Sequence, residues 1–396
     1  MSHTYPDPLR RTLITVPAML ASTMVAIDIT IANVALPHMQ ASLSASQDQI
    51  VCVLTSYLVA GAIATPLSGW LASRFGRKVV MLSSVAGFTL ASAICGLAND
   101  LPTMVFARAL QGACGASLVP LSQATLLDIN PPELLGRAMA IFSIGSMAGP
   151  ILGPTLGGWL TDTLSWRWVF FINVPIGVVS FLGMLEFMFE NRSADPPRFD
   201  MFGFAFVSLA LGAMQLMFDR GEQLDWFEST EIQIYAVVFG LCVWIAGVHH
   251  ATARDTFLQP RLFLDRNFAL GSAISATIGV VTFATLPILT VMTQSLLEYS
   301  AYRTGVVGMP RALGSVVSML VVARLVTRVD TRLILIVGLL GNALCLALYA
   351  GIDLYVDERM LVWIGVVQGV STGLLFVPLS LAVFSTLPST LRNEGA

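Results

Sequence analysis

Charged residues are scarce in this chain of 396 residues: together Asp, Glu, Lys and Arg make up 11% of it, against about 25% in ordinary soluble domains. Lys78 is the one lysine, and hydrophobic residues account for 56%. This number of charges could not cover the surface of a soluble protein, which excludes a soluble globular fold. We also expect no nucleic-acid partner.

Paired cysteines, histidine clusters and phosphate-binding loops are missing as well. The five cysteines lie in apolar runs without the spacing of a disulfide framework or a metal site. The four histidines lie near the N-terminus or at the boundaries of apolar runs, and no P-loop is present. We therefore expect no metal, no cofactor, no direct ATP drive and no enzymatic activity.

Long apolar runs are what the chain does contain. Runs near the roughly 20 residues needed to cross a bilayer recur along it, and each must be a helix because backbone polar groups cannot stay unpaired in lipid. The first run is too long for a secretory signal and lacks a convincing cleavage site, so we read it as a retained span. The sequence predicts an all-α membrane protein with twelve spans: 13–36, 49–72, 79–98, 102–127, 138–160, 168–189, 200–218, 232–250, 268–292, 304–323, 333–351 and 360–387.

The distribution of basic residues predicts the orientation. With the N-terminus in the cytoplasm, fifteen basic residues lie on the cytoplasmic side and four on the outside, while Arg108 and Arg311 lie within spans. Basic residues concentrate on the cytoplasmic side of membrane proteins. Both termini are therefore expected to face the cytoplasm.

Two pairs of matching segments indicate an internal repeat. Span 4 reads "LQGACGASLVPLS" (110–122) and span 12 reads "VQGVSTGLLFVPLS" (367–380). The loop "ASRFGRK" (72–78) matches "VTRVDTR" (326–332) at an offset of 254. Parallel six-helix repeats of this kind are typical of major-facilitator-type transporters. We expect a six-helix half at 1–190, an inserted pair at 191–258 and an incomplete, C-terminally truncated half of four spans at 259–396. The alternative is that the matches are coincidental in a plain six-plus-six transporter.

Span 5 contains an unusual set of small residues and prolines. Glycines four residues apart form a ridge that lets another backbone approach closely, and prolines bend the helix. From the ridge alone, ordinary tight packing is the alternative to a functional signature. The residues are Gly145, Gly149, Pro150, Gly153, Pro154, Gly157 and Gly158.

The pattern "GxxxGPxxGPxxGG" resembles the antiporter signature on the fifth helix of major facilitator exporters. Other segments resemble motifs of the fourteen-span drug:proton antiporters, to which EmrB-type multidrug exporters belong. They are "IDITIANVALP" (27–37), "GWLASRFGRK" (69–78), "ARALQGACGA" (107–116), "WRWVFFINVPIG" (166–177) and "DRGEQLDWF" (219–227).

The resemblance implies a major facilitator fold and a pump in the bacterial inner membrane that exchanges protons for hydrophobic or amphiphilic compounds. The acidic, aromatic outer loop at 219–231 would contact a periplasmic adaptor, with an outer-membrane channel beyond it, or would simply be solvated. Two alternatives to export stay open. One is an exchanger or importer of a small polar metabolite on the same fold, and the other is a non-transporting remnant.

The loop between spans 2 and 3 has two interpretations, a gating role or a positive-inside anchor with a turn glycine. Its residues are Gly69, Arg74, Gly76, Arg77 and Lys78. Ser73 departs from the superfamily pattern, which usually carries aspartate there. A gating salt bridge from this position is therefore not expected.

Charges inside the spans give the sharpest chemical signal. Asp28 and Arg108 both lie roughly 9–12 Å below the outer surface at 1.5 Å per residue. Ionised groups at such depth usually pair and mark an ion or substrate route. We hypothesise that they face each other and that Asp28 exchanges a proton, since a nearby guanidinium favours the charged carboxylate and burial without it favours the protonated form. The alternative is a static pair that positions two helices.

Four further polar residues are candidates for lining a substrate cavity: Asn33, Gln111, Arg311 and Gln368. Spans 9–12 offer Arg311 no obvious acidic partner, so it would meet an anionic substrate or a group in the missing helices. Gln111 and Gln368, related by the repeat, would either face a cavity or form interhelical hydrogen bonds.

Overall fold

The fold is given by a computed structural model that describes residues 5–190, 199–253, 261–299, 301–326, 328–353, 355–384 and 386. Its described residues form helices joined by short turns, with no strand among them. The first nine helices are α1 (Pro8–Ser42), α2 (Gln47–Ala64), α3 (Leu67–Phe75), α4 (Arg77–Leu97), α5 (Leu101–Gly115), α6 (Leu118–Ile129), α7 (Leu135–Thr163), α8 (Trp168–Phe171) and α9 (Asn173–Phe187). The others are α10 (Met201–Gly221), α11 (Thr230–Thr252), α12 (Arg261–Leu264), α13 (Arg266–Val291), α14 (Ala301–Leu325), α15 (Thr331–Ala350) and α16 (Glu358–Phe384).

The all-helical class is confirmed, and each predicted span coincides with helix. Among the described residues, nine helices are long and apolar enough to cross a membrane, and the bent pair α2–α3 makes a tenth. The exact count of twelve spans stays a prediction. The predicted end of the last span, at 387, lies outside the described residues.

Three predicted spans are interrupted rather than continuous, and the one predicted at 168–189 is divided at Ile172 into α8 and α9. The span predicted at 49–72 consists of α2 and α3, which meet at a bend of 54°. The span predicted at 102–127 is interrupted between α5 and α6, just before Pro120. Proline donates no backbone hydrogen bond and its ring clashes with the carbonyl four residues earlier, here that of Ala116. The interruption therefore falls where the proline disturbs the helix.

Helix packing divides the chain into neighbouring groups. In the N-terminal part α1 packs on α7, α9 and α6, while α5 packs on α2 and α4. Helices α10 and α11 pack on each other, and α10 also contacts α2. In the C-terminal part α14, α15 and α13 all pack on α16. The two parts meet where α7 contacts α14 and α16, so α7 lies between α1 and the C-terminal helices.

Candidate functional site

The glycine ridge of α7 packs directly against α1. A Cβ atom on Gly149 would lie 2.1 Å from the backbone oxygen of Ala26, and one on Gly153 would lie 2.0 Å from Oγ1 of Thr30. Thr30 also donates a hydrogen bond to the backbone oxygen of Gly149 at 2.9 Å. Real Cβ atoms do not approach other atoms so closely, so only glycine allows this contact. Ala26 and Thr30 lie on either side of position 28, so the ridge packs α7 against the part of α1 that contains Asp28.

Gly145 and Gly157 extend the same contact, whereas Gly158 does not take part in it. A Cβ on Gly145 would lie 2.9 Å from Cε of Met19, and one on Gly157 would lie 2.9 Å from Cγ1 of Ile31. A Cβ on Gly158 would have no neighbour within 4 Å. Pro150 and Pro154 lie inside α7, whose backbone stays helical from Leu135 to Thr163.

Asp28 and Arg108 are in contact in the interior of the bundle. Nη1 of Arg108, on α5, donates to Oδ2 of Asp28, on α1, at 2.6 Å. The side chains are 1% and 0% exposed, respectively. A buried ion pair of this kind needs further hydrogen bonds, because the loss of hydration is otherwise larger than the Coulombic gain.

Two amide side chains supply those hydrogen bonds to the carboxylate. Gln111 and Asn173 each donate from the side-chain nitrogen to Oδ1 of Asp28, both at 2.8 Å. Gln111 also accepts from Nη1 of Arg108 at 2.7 Å. Asn173 is held in turn by Ser92, whose hydroxyl accepts from it at 2.9 Å. All five residues of this network are buried, and the carboxylate accepts three hydrogen bonds in total.

The rest of the guanidinium is held by α2. Its Nε donates to the backbone oxygen of Val53 at 3.2 Å, and its central carbon lies 4.2 Å from the ring centre of Tyr57. Cation–π contacts of this geometry are favourable when the cation is desolvated. Arg108 therefore touches α1, α2 and α5, so a movement of any of these helices changes its contacts.

Sequence reasoning missed Asn173, Ser92 and Tyr57. Asn173 lies in the quoted segment "WRWVFFINVPIG", where an amide within an apolar run was itself a signal that a buried partner exists. Ser92 and Tyr57 gave no such signal, because hydroxyl groups are common in membrane helices. Their role depends on which helices are neighbours.

The four cavity candidates lie in different surroundings. Gln111 belongs to the Asp28 network, so both ends of its amide are engaged in this conformation. Asn33 is exposed and donates to the backbone oxygen of Ile29 in its own helix at 3.0 Å. Arg311 and Gln368 lie in the C-terminal part, on α14 and α16, and are both buried. The structure thus joins only one of the four to the ion pair.

The loop between α3 and α4 is tied to two other helices. Gly76 has φ +92°, and a Cβ there would lie 1.8 Å from Oε1 of Glu190. Arg77 forms a salt bridge of 2.9 Å with Asp128 at the end of α6. Lys78 donates to the backbone oxygen of Leu185 in α9 at 2.7 Å. Gly69 is buried in α3 and Arg74 is exposed. Ser73 replaces the aspartate that is usual in the superfamily, but the loop still forms a salt bridge, through Arg77.

The two interpretations of this loop predict different results for Arg77→Gln and Arg74→Gln. If the loop acts through the Arg77–Asp128 contact, we expect Arg77→Gln to change thermal stability and transport rate, while Arg74→Gln, its matched control, changes neither. A double-mutant cycle with Asp128→Asn should give a coupling free energy of about 0.5–3 kcal/mol. Equal effects of the two arginine substitutions and no coupling would favour the positive-inside anchor. Thermal unfolding in detergent and efflux assays provide the measurements.

The predicted outer loop is itself ordered by polar contacts. Arg220 forms an ion pair with Glu231, and Thr55 of α2 donates to Asp219. In the part of the chain that the structure describes, no group of three His, Cys, Asp or Glu side chains could hold a metal ion.

Residues 18–395 match the family model described as "Major Facilitator Superfamily". The chain belongs to the major facilitator superfamily. The multidrug export protein EmrB of Haemophilus influenzae is 33% identical to this superfamily member over 95% of this chain and 74% of that protein. The fatty acid resistance protein FarB of Neisseria gonorrhoeae is 34% identical over 92% of this chain and 72% of that protein.

Solved structures confirm the major facilitator fold. The proton:xylose symporter XylE superimposes with a TM-score of 0.67 over 98% of this chain and 85% of that structure, at 14% identity. At that identity the likeness concerns the fold alone. The chain is therefore a multi-span helical membrane protein of a transporter superfamily, with relatives named as multidrug exporters.

Proposed function

We propose that this protein exports hydrophobic or amphiphilic small molecules across the bacterial inner membrane in exchange for protons, with its N-terminus in the cytoplasm. The buried pair of Asp28 and Arg108 is the observation that carries the proposal. Relatives named for multidrug export and fatty acid resistance support the cargo class. Few charged side chains lie within the predicted spans beyond Asp28, Arg108 and Arg311, which favours apolar cargo.

The contacts of the carboxylate support the proposed proton step. With Arg108 in place, the charged form of Asp28 is stabilised by a guanidinium and two amides. If α1 and α5 move apart, the carboxylate loses the guanidinium, and an unpaired buried charge is costly enough that it binds a proton instead. When the pair forms again, the proton is released. Coupling requires that these two states face opposite sides of the membrane.

Helix α7 is suited to transmit the movement. It is held on α1 by the glycine ridge and also contacts α14 and α16 of the C-terminal part. We infer that residues 1–190 and 259–396 belong to two halves that rock against each other across α7, with the pair at 191–258 beside them. Rocking would then alter the α1–α5 contact and with it the charge on Asp28.

The proposal is tested by reconstituting the complete protein in liposomes under an imposed pH gradient. We expect uphill efflux of a hydrophobic dye together with movement of protons in the opposite direction, both abolished by an uncoupler. A pH-sensitive dye in the lumen measures the protons. Dye movement that needs no gradient, or accumulation in the direction of import, would contradict the proposal.

A further inference from the structure

The C-terminal part contains a counterpart of the Asp28 network. The offset of 254 that relates the two loops places Thr282 at the position of Asp28, Arg311 at that of Tyr57 and Tyr349 at that of Cys95. In the Gln-Gly segments of spans 4 and 12 the offset is 257, which relates Gln368 to Gln111. With the same offset Gly365 takes the place of Arg108.

Backbone contacts support this correspondence. A Cβ on Gly112 would lie 2.2 Å from the backbone oxygen of Tyr57, and a Cβ on Gly369 would lie 1.8 Å from that of Arg311. Gly365 in turn faces Cβ of Arg311 at 3.5 Å. The guanidinium of Arg311 reaches the backbone oxygen of Thr282 at 3.5 Å, as Arg108 reaches Asp28. The second network therefore keeps an arginine and a glutamine but has threonine in place of the acid.

Several buried polar groups of this network have no hydrogen-bond partner within the described part of the chain. They are Nη1 of Arg311, both amide atoms of Gln368 and the hydroxyl of Tyr349. Arg311 is 8% exposed and Gln368 is fully buried. Arg311 lies close enough to Tyr349 for electrostatic interaction. A buried guanidinium without an opposite charge is costly, and the hydrogen bond that Arg311 donates to Thr282 among the described residues is long.

By contrast with Arg311, Gln368 and Tyr349, the side-chain hydroxyl groups of neighbouring residues do have hydrogen-bond partners. Ser315 donates to the backbone oxygen of Gly369 at 3.0 Å, Ser371 to that of Val367 at 2.7 Å, and Thr372 to that of Gln368 at 2.8 Å. The helices are therefore packed well enough to pair their own polar groups. The unpaired groups belong to side chains whose counterparts in the first half form or border the network around a carboxylate. Gln111 donates to Asp28, Tyr57 lies against Arg108, and Cys95 contacts Gln111.

We propose that Arg311, together with Gln368 and Tyr349, binds the carboxylate of an amphiphilic anionic cargo at the place that Asp28 occupies in the first half. A guanidinium, an amide N–H and a phenol O–H are all donors suited to a carboxylate. The depth of the site in the bundle requires an apolar remainder on the cargo. The inference rests on the proposed export function and names its substrate class.

The test is equilibrium binding to the purified complete protein in nanodiscs of zwitterionic lipid, with labelled decanoate and its uncharged methyl ester as probes. We expect Arg311→Gln to lower decanoate affinity by about 10- to 100-fold, the range for one lost charge-assisted hydrogen bond, and to leave ester affinity unchanged. Thr282→Asp should have the same selective effect, because it supplies an internal carboxylate to Arg311. Arg303→Gln, which removes an exposed arginine paired with Glu358, is the control and should leave both affinities unchanged.

Decanoate affinity that is unchanged in both Arg311→Gln and Thr282→Asp would overturn the inference, as would equal loss of decanoate and ester binding. Loss of decanoate binding in nanodiscs containing phosphatidylglycerol would assign the site to a lipid headgroup instead and overturn it too. The binding assay uses no proton gradient, so it is independent of the export proposal. If the inference alone fails, Arg311→Gln and wild type bind decanoate alike while dye efflux persists.

Discussion

Asp28→Asn is expected to abolish proton-driven efflux in the complete protein while leaving downhill movement of the same dye measurable. The substitution removes the titratable group that we propose as the proton carrier, so the pH gradient can no longer drive transport. An amide also has one acceptor oxygen where the carboxylate accepts at two. The asparagine therefore leaves either the guanidinium of Arg108 or the amides of Gln111 and Asn173 without an acceptor. In both cases Arg108 remains buried without an opposite charge.

Loss of stability must be separated from loss of coupling in this variant. Removing one partner of a buried ion pair costs about 3–5 kcal/mol, so thermal unfolding in detergent should be measured alongside transport. Asp162→Asn, an exposed acid at the end of α7, is the matched control and should alter neither property. Asp28→Glu restores an acid and should recover part of the proton-driven efflux. Full uphill efflux by folded Asp28→Asn would mean that the pair is static and positions two helices.

Gly149→Ala should produce the second large effect, although it adds a single methyl group. The new Cβ would lie 2.1 Å from the backbone oxygen of Ala26, so α1 and α7 must separate. Overpacking of this kind typically costs about 1–3 kcal/mol. Because Ala26 lies two residues from Asp28, we also expect the separation to displace the carboxylate from Arg108. Both the melting temperature and the efflux rate should fall.

Gly158→Ala is the control for this prediction, since its Cβ would meet nothing within 4 Å. Alanine is a better helix former than glycine by about 1 kcal/mol, so this variant should be as stable as the wild type or slightly more stable. The two substitutions are chemically identical and occur on the same helix. If they lower the melting temperature and efflux equally, the close contact with α1 does not hold α7 in place.

The sequence determined the helical class, the approximate positions of the long helices and the family. These follow from the length of apolar runs and from local motifs, both of which are properties of neighbouring residues. It also singled out Asp28 and Arg108, because a charge within an apolar run is visible without any knowledge of contacts. The repeat related Gln111 to Gln368, but it did not show that the side-chain amide of Gln111 would be bonded at both ends. Nor did it show that the amide of Gln368 would have no hydrogen-bond partner among the residues that the structure describes.

Only the tertiary structure decided which residues complete the site. Asn173 is 145 positions from Asp28 and Tyr57 is 51 positions from Arg108, and their contacts exist because α9 and α2 pack beside the ion pair. Likewise, the position of the glycine ridge against α1 depends on which face of α7 turns inward. In a membrane most helices are apolar all round, so the pattern of hydrophobic residues does not select neighbours. Close backbone contacts and buried hydrogen bonds determine which helices are neighbours, and both arise only when the helices assemble.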